Sequence, residues 1–313
     1  MSAKSRIFSA LLLWLPMVVV AQNDVQFSDY TRLRSYYNPA VSGSDGKLNV
    51  AGAYSMQFVG FDHAPATMYL GADLPVFFIG PRHGAGVSLL SDKFGIFTMQ
   101  KIGIQYAYNL KLGKKGRLSV GVQGAMLTEK IDPSGIKLDE DDDPAFPKSE
   151  ANGNHADFAA GLYFYHPKWW VGASSHHLLA PTLMLQEQYE YKFKRMYYLM
   201  GGGNIRFKNS LFSLQPSFMV MTDMQNWRED VQCKVTYEFE ERSFYAGVGY
   251  SPEISATFMV GGNFHGVCLG YSYQMYTSGI GMLNGSHELT VGYQTELDLF
   301  KKGRNRHKSV RFL

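Results

Sequence analysis

Apolar and polar side chains alternate, one for one, along segment after segment of this chain. In residues 47–58 Leu48, Val50, Tyr54, Met56 and Phe58 fall on one side and Lys47, Asn49, Ser55 and Gln57 on the other. Residues 101–111 set Ile102, Ile104, Tyr106, Tyr108 and Leu110 against Lys101, Gly103, Gln105, Asn109 and Lys111. Residues 231–240 and 288–298 repeat the pattern, with Val231, Cys233, Val235, Tyr237 and Phe239, then Leu289, Val291, Tyr293 and Leu297, on the oily side. Successive side chains of a strand point to opposite faces, so each segment is a strand with one apolar and one polar face. A helix needs a period near 3.6, which these segments do not have.

Alternation by itself fits a soluble sandwich as well as a membrane barrel. Three features favour the barrel. The start of the chain reads as an export signal: Lys4 and Arg6, a short apolar run, and small residues Val19 and Ala21 before Gln22. The apolar run is interrupted by Pro16 and is too short for a spanning helix, so cleavage after Ala21 is expected. Strand-like segments of about 10 to 15 residues fill nearly all of the rest, in keeping with membrane strands. Connections alternate between tight turns, at 111–117, 165–169, 207–210, 239–243 and 263–266, and longer loops, at 128–154, 178–193, 222–230 and 275–286. Aromatics make up 14% of the chain, with 20 Tyr and 21 Phe, the stock of aromatic girdles. The expected fold is an all-β outer-membrane barrel of about 14 antiparallel strands, with a short N-terminal plug or periplasmic segment. The expected layout is a signal peptide at 1–21, an N-terminal periplasmic segment at 22–46, the barrel at 47–300 and a basic periplasmic tail at 301–313.

Other compositional features narrow the function. A net charge of +3 gives no reason to expect nucleic acid. Cys233 lies on an oily face and Cys268 on a polar one, so the two are not expected to bond to each other. The acidic run Asp139–Asp143 lacks the glycine and distal Glu of a calcium loop and reads as solvated surface. His176 and His177 lack zinc-site spacing, and no metal or cofactor is expected. Ser175 and His176, like Ser286 and His287, are strand neighbours and point to opposite faces, so neither forms a catalytic pair, and no G-x-S-x-G elbow is present. No enzymatic activity is expected.

The segment between export signal and first strand, Gln26–Gly43, is rich in Tyr and turns at Asn38-Pro39. Together with the terminal stretch 285–293 it resembles the PorP/SprF family of type IX secretion system membrane proteins. Gln26, Phe27, Ser28 and Tyr30 match a Gln-Phe-Ser-x-Tyr element, and Tyr37, Asn38, Pro39, Ala40 and Gly43 match an aromatic-Asn-Pro-Ala-x-x-Gly element. Ser286, His287, Glu288, Leu289, Gly292 and Tyr293 match the closing strand. Arg32 and Arg34 stand where the family commonly has an apolar stretch. The resemblance implies an integral outer-membrane component of the secretion machinery of Bacteroidetes-type bacteria, exported by its signal peptide. It implies a role in exporting cargo with C-terminal secretion signals, and surface adhesins in gliding species, through scaffold or adaptor binding. The implied partners are other type IX components (periplasmic ring or peptidoglycan-associated proteins), cargo C-terminal signals and outer-membrane lipid. The residues picked for partner binding are Gln26, Phe27, Tyr30, Tyr36, Tyr37, Asn38, Pro39, Arg304 and Arg306. The opening segment either plugs the periplasmic mouth, docks a periplasmic protein or packs against the barrel to stabilise it. The alternative function is a channel or transporter for small solutes, with Lys47, Lys101, Gln105, Lys111, Glu238, Glu240, Glu296 and Asp298 facing the lumen.

Overall fold

A computed structural model describes residues 24–61, 63–77, 80, 82–132, 151–185, 189–208, 211–278 and 284–297. The stretch read as a signal peptide, the acidic run Asp139–Asp143, Asp298 and the tail with Arg304 and Arg306 lie outside the described residues.

The strands, in chain order, are β1 Lys47–Met56, β2 Ala66–Pro75, β3 His83–Phe94, β4 Phe97–Leu112, β5 Gly116–Ile131, β6 Ala151–His166, β7 Trp169–His176, β8 Thr182–Leu185, β9 Tyr189–Lys192, β10 Met196–Gly203, β11 Ile205–Arg206, β12 Phe212–Thr222, β13 Trp227–Phe239, β14 Arg242–Ser251, β15 Ser255–Phe264, β16 Val267–Tyr276 and β17 Ser286–Glu296. Each long strand pairs antiparallel with the next, β17 pairs with β1, and β10 pairs with β12. This closes a ring of fourteen strands, with β11 a short addition on β12 and β8–β9 a separate hairpin. Closure leaves no unpaired sheet edge, which a sheet in lipid requires.

The side chains settle which face meets lipid. Ile102 and Ile104 are 60% and 69% exposed, while their neighbours Lys101 and Gln105 are 7% and 3% exposed. Leu289 and Val291 point out, and Glu288 and Thr290 point in. Such an apolar exterior around a polar interior is the reverse of a soluble sandwich, and it far exceeds the apolar patch of an ordinary soluble surface. Aromatic pairs ring the end that holds the tight turns: Phe164 with Trp169, Phe212 with Tyr237, and Phe244 with Phe264. Cys233 and Cys268 are both free, on opposite faces of the wall.

β1 begins and β17 ends at that same end, which places it at the periplasm. The connections at the opposite, outer end include the long ones, but the turns at 95–96 and 252–254 there are also tight. Gly95, with φ of +58°, allows the first of these. The outer connection between β12 and β13, expected to be long, is also short (223–226), while at the periplasmic end β2 to β3 and β10 to β12 are joined by longer stretches, so turn length follows the two ends of the barrel only in part.

Candidate functional site

The lumen is occupied by the chain's own N-terminal segment. Residues 24–46 run inside the barrel from the periplasmic rim, where Arg117 donates to the Ser44 carbonyl at 2.7 Å, to the outer end, where Asp24 meets Tyr198, His176 and His177. This plug contains one short helix, α1 (Arg34–Tyr37), followed by a 3-10 turn at Pro39–Val41.

Its tyrosines fold the segment onto itself. The Phe27 amide donates to the Tyr37 hydroxyl at 2.9 Å, and the Tyr36 hydroxyl donates to the Val25 carbonyl at 3.2 Å. Tyr36 packs edge-on against Phe27, Tyr37 and Tyr69, with centroids 4.8–5.2 Å apart. The apolar rings fill the centre of a polar lumen, and each phenol tip can find a partner there.

The Asn-Pro turn is fixed by side-chain chemistry. Asn38 is extended, as a residue before proline prefers, and its Oδ1 accepts the Ala40 amide at 2.9 Å. Its Nδ2 donates to the Leu162 and Ala173 carbonyls on β6 and β7. Glycines make room for it. A Cβ at Gly121 would lie 2.3 Å from the Ala40 nitrogen, and one at Gly161 would lie 2.1 Å from Asn38 Oδ1. Gly43 ends the motif with φ of +64°, its amide donating to Asp73 at 2.8 Å, and its own Cβ would strike Leu74 and Gly84.

The two ends of the sequence meet in the middle of the lumen. Glu288 on β17 accepts the backbone amides of Ser28 at 2.7 Å and Asp29 at 3.0 Å, one on each carboxylate oxygen. Asp29 in turn pairs with Lys234 of β13 and Arg32, and accepts from the Tyr245 hydroxyl at 3.3 Å. Arg32 lies 4.5 Å over the Tyr245 ring. Two cations and two carboxylates thus balance inside the wall, which is how buried charge is tolerated. Arg34 donates to the Tyr163 hydroxyl at 2.9 Å and stacks 5.1 Å over Trp170. Both arginines face aromatic partners on the barrel.

A third cluster holds the outer end of the plug. His177, just after β7, lies 2.9 Å from Asp157 and 3.5 Å from Asp24, and Lys101 lies 3.5 Å from Asp157. Burial pulls the His177 imidazolium down, but the hydrogen bonds to Asp157 and Asp24 outweigh it and lift the pKa to about 9. Burial would raise the Asp24 carboxyl, yet His177 holds it below the usual carboxylate range. His176 and Ser174 both reach the Tyr37 carbonyl, at 2.9 and 2.6 Å. Above the plug, the outer mouth opens into a vestibule of about 750 Å³ whose floor is Asp24–Ser28.

The residues singled out from sequence for partner binding are placed as follows. Phe27, Tyr30, Tyr36, Tyr37, Asn38 and Pro39 are buried inside the barrel, and Gln26 is half-buried on the vestibule floor. None of the six is offered on the outer surface while the plug is seated. Ser286 faces in, His287 faces out to the Tyr271 hydroxyl at 2.7 Å, and Glu288 faces in. Of the residues assigned to the lumen, Lys101 and Gln105 sit deep, whereas Lys111, Glu240 and Glu296 are exposed near the periplasmic rim. Lys234, Tyr245, Asp157 and His177 hold the plug but carry no signature in sequence; of these, the alternation places only Lys234, on the polar face of residues 231–240.

A family model described as "Type IX secretion system membrane protein PorP/SprF" matches residues 19–293. Among curated proteins none matches. The barrel is similar to the Ralstonia pickettii toluene transporter TbuX (11% identity, covering 83% of this chain and 92% of that chain, TM-score 0.49). It is also similar to the CymD monoaromatic hydrocarbon channel (11%, 83% and 90%, 0.47) and to a Pseudomonas aeruginosa FadL homologue (12%, 79% and 89%, 0.45). At these scores the likenesses carry no inference about transport, and the fold rests on the strand pairing itself.

Proposed function

Since the chain belongs to the PorP/SprF family of type IX secretion system membrane proteins, we propose that this outer-membrane barrel works as a scaffold or adaptor of the secretion machinery. It acts by binding proteins and is needed for export of cargo with C-terminal secretion signals. One observation carries the scaffold reading: the plug spans the lumen and is tied to the wall at three levels, by Asn38, by Glu288 with Lys234, and by His177. A barrel filled in this way favours a surface for partners over a path for solutes. Its partners are other type IX components at the periplasmic rim and cargo at the outer mouth. The basic rim residues Arg82, Lys111, Lys114, Lys115, Arg117 and Lys168 lie on neighbouring turns and strand ends, and suit an acidic periplasmic protein.

The test is a clean deletion in the native host, followed by proteomics of medium and periplasm. The expected result is loss of cargo with C-terminal signals from the medium and its accumulation in the periplasm. Normal secretion with a defect only in uptake of a solute would overturn the reading in favour of a small-solute channel.

A further inference from the structure

The vestibule carries an unsatisfied charge that secretion as such does not explain. Its wall includes Asp92 of β3 and Glu129 of β5. In the strand register Asp92 stands opposite Met99 of β4, and Met99 stands opposite Glu129. The two carboxylates therefore belong to one row, two strands apart, which is about 10 Å. Met99 lies between them and packs on the apolar clusters below.

The other charged groups around this space are already matched. Arg228 pairs with Asp230, Lys194 with Asp223, and His177 with Asp24 and Asp157. Among the described residues Asp92 has only the Thr67 hydroxyl, at 2.6 Å. Glu129 is 8% exposed, lines the cavity and has no cation or hydrogen-bond donor among the described residues. Across the cavity, on β13, the Gln232 Oε1 is buried and also without a donor among the described residues. A nearly buried carboxylate without a counter-charge is costly, and a ligand that brings a cation to it removes that cost. The lining also offers the aromatic side chains Phe94, Phe97, Phe193 and Tyr276, beside the polar Gln57, Thr257 and Gln274.

We infer that the outer vestibule is a binding site for a ligand with ammonium or guanidinium groups spaced about 10 Å apart on an apolar body. Asp92 and Glu129 take the cationic groups, Met99 and the phenylalanines take the body between them, and Gln232 accepts an amide N–H. The same chemistry is available from a basic stretch of polypeptide or from a free polyamine. This inference is independent of the scaffold reading, because it concerns what the outer mouth holds and not whether cargo is exported.

The experiment is calorimetric titration of the full mature chain in nanodiscs with three probes. These are the blocked peptide Lys-Phe-Gly-Phe-Lys, its charge-reversed partner Glu-Phe-Gly-Phe-Glu, and spermidine. The expected result is that the basic peptide binds, the acidic one does not, and the affinity falls as salt rises. Glu129→Gln and Asp92→Asn should each weaken binding about tenfold or more. Spermidine binding as tightly as the peptide identifies a small polyamine as the ligand; binding of the peptide alone identifies a polypeptide. The inference is overturned if both peptides bind equally, if neither cationic probe binds at millimolar concentration, or if folded Glu129→Gln binds like the unaltered chain. The peptide comparison needs no variant, so a failure of either substitution to fold leaves the test intact.

Discussion

Replacing Glu288 with alanine should release the plug without unfolding the barrel. Glu288 accepts two backbone amides, Ser28 at 2.7 Å and Asp29 at 3.0 Å, and its carboxylate is buried. Truncation leaves both donors without an acceptor in a closed lumen. A buried polar group stranded in this way costs about 1–3 kcal/mol. Two of them give about 2–6 kcal/mol against the seated plug. The wall loses little, since the ladder of β17 to β1 and β16 uses backbone groups alone. Each 1.36 kcal/mol is a factor of ten, so even 3 kcal/mol raises the opening of the segment by about two orders of magnitude. Hydrogen–deuterium exchange of the folded chain in nanodiscs reads this directly. Amides of residues 24–37 should exchange about 100-fold faster in Glu288→Ala, while those of β4 and β5 keep their protection. Unchanged protection across 24–37 in a folded variant would refute the latch.

Other changes should act on the same element. Gly121→Ala or Gly161→Ala places a methyl 2.3 Å from the Ala40 nitrogen or 2.1 Å from Asn38 Oδ1, and each should expel the Asn-Pro turn, seen as faster labelling of a cysteine at position 40. Arg32→Leu removes an ion pair and a ring contact with Tyr245 and should lower the thermal midpoint of plug release, by about 1–3 kcal/mol in free energy. His177 has a raised pKa in the fold, so its stabilisation is full below pH 6.5 and is lost as pH rises through about 9. Cysteine labelling at position 25, taken relative to a free thiol at each pH to remove the thiolate fraction, should therefore rise between pH 8 and 10 and lose that dependence in His177→Gln, with Asp24, Asp157, Lys101 and His176 as the facing charged groups.

The alternation of residues 101–111 and 288–298 disclosed the wall because strand faces depend on nearest neighbours alone. Ile104 out and Gln105 in follow from a period of two, and the number of such segments led to the fourteen-stranded ring. The contents of the ring were far less legible. Glu288 and Ser28 are 260 residues apart and touch only because β17 closes on β1, a long-range fact that no local pattern carries. The motifs at the two ends marked both partners of that contact without saying that they meet. Gly121 and Gly161 read as ordinary strand glycines until Asn38 and Ala40 are seen against them. Arg32 and Arg34 looked out of place in an apolar stretch, and their ring partners Tyr245 and Trp170 lie on distant strands. The tight outer turns at 95–96 and 252–254 show that loop length alone does not assign every end of a strand.

Ion conductance in planar bilayers tests the central claim most directly, since a barrel of fourteen strands either holds its plug or passes current. The seated plug predicts no large steady conductance from the chain lacking residues 1–21, and a stable conducting state after further removal of residues 24–37 or in Glu288→Ala. A large steady conductance from the unaltered chain, equal to that of the variants, would contradict the account.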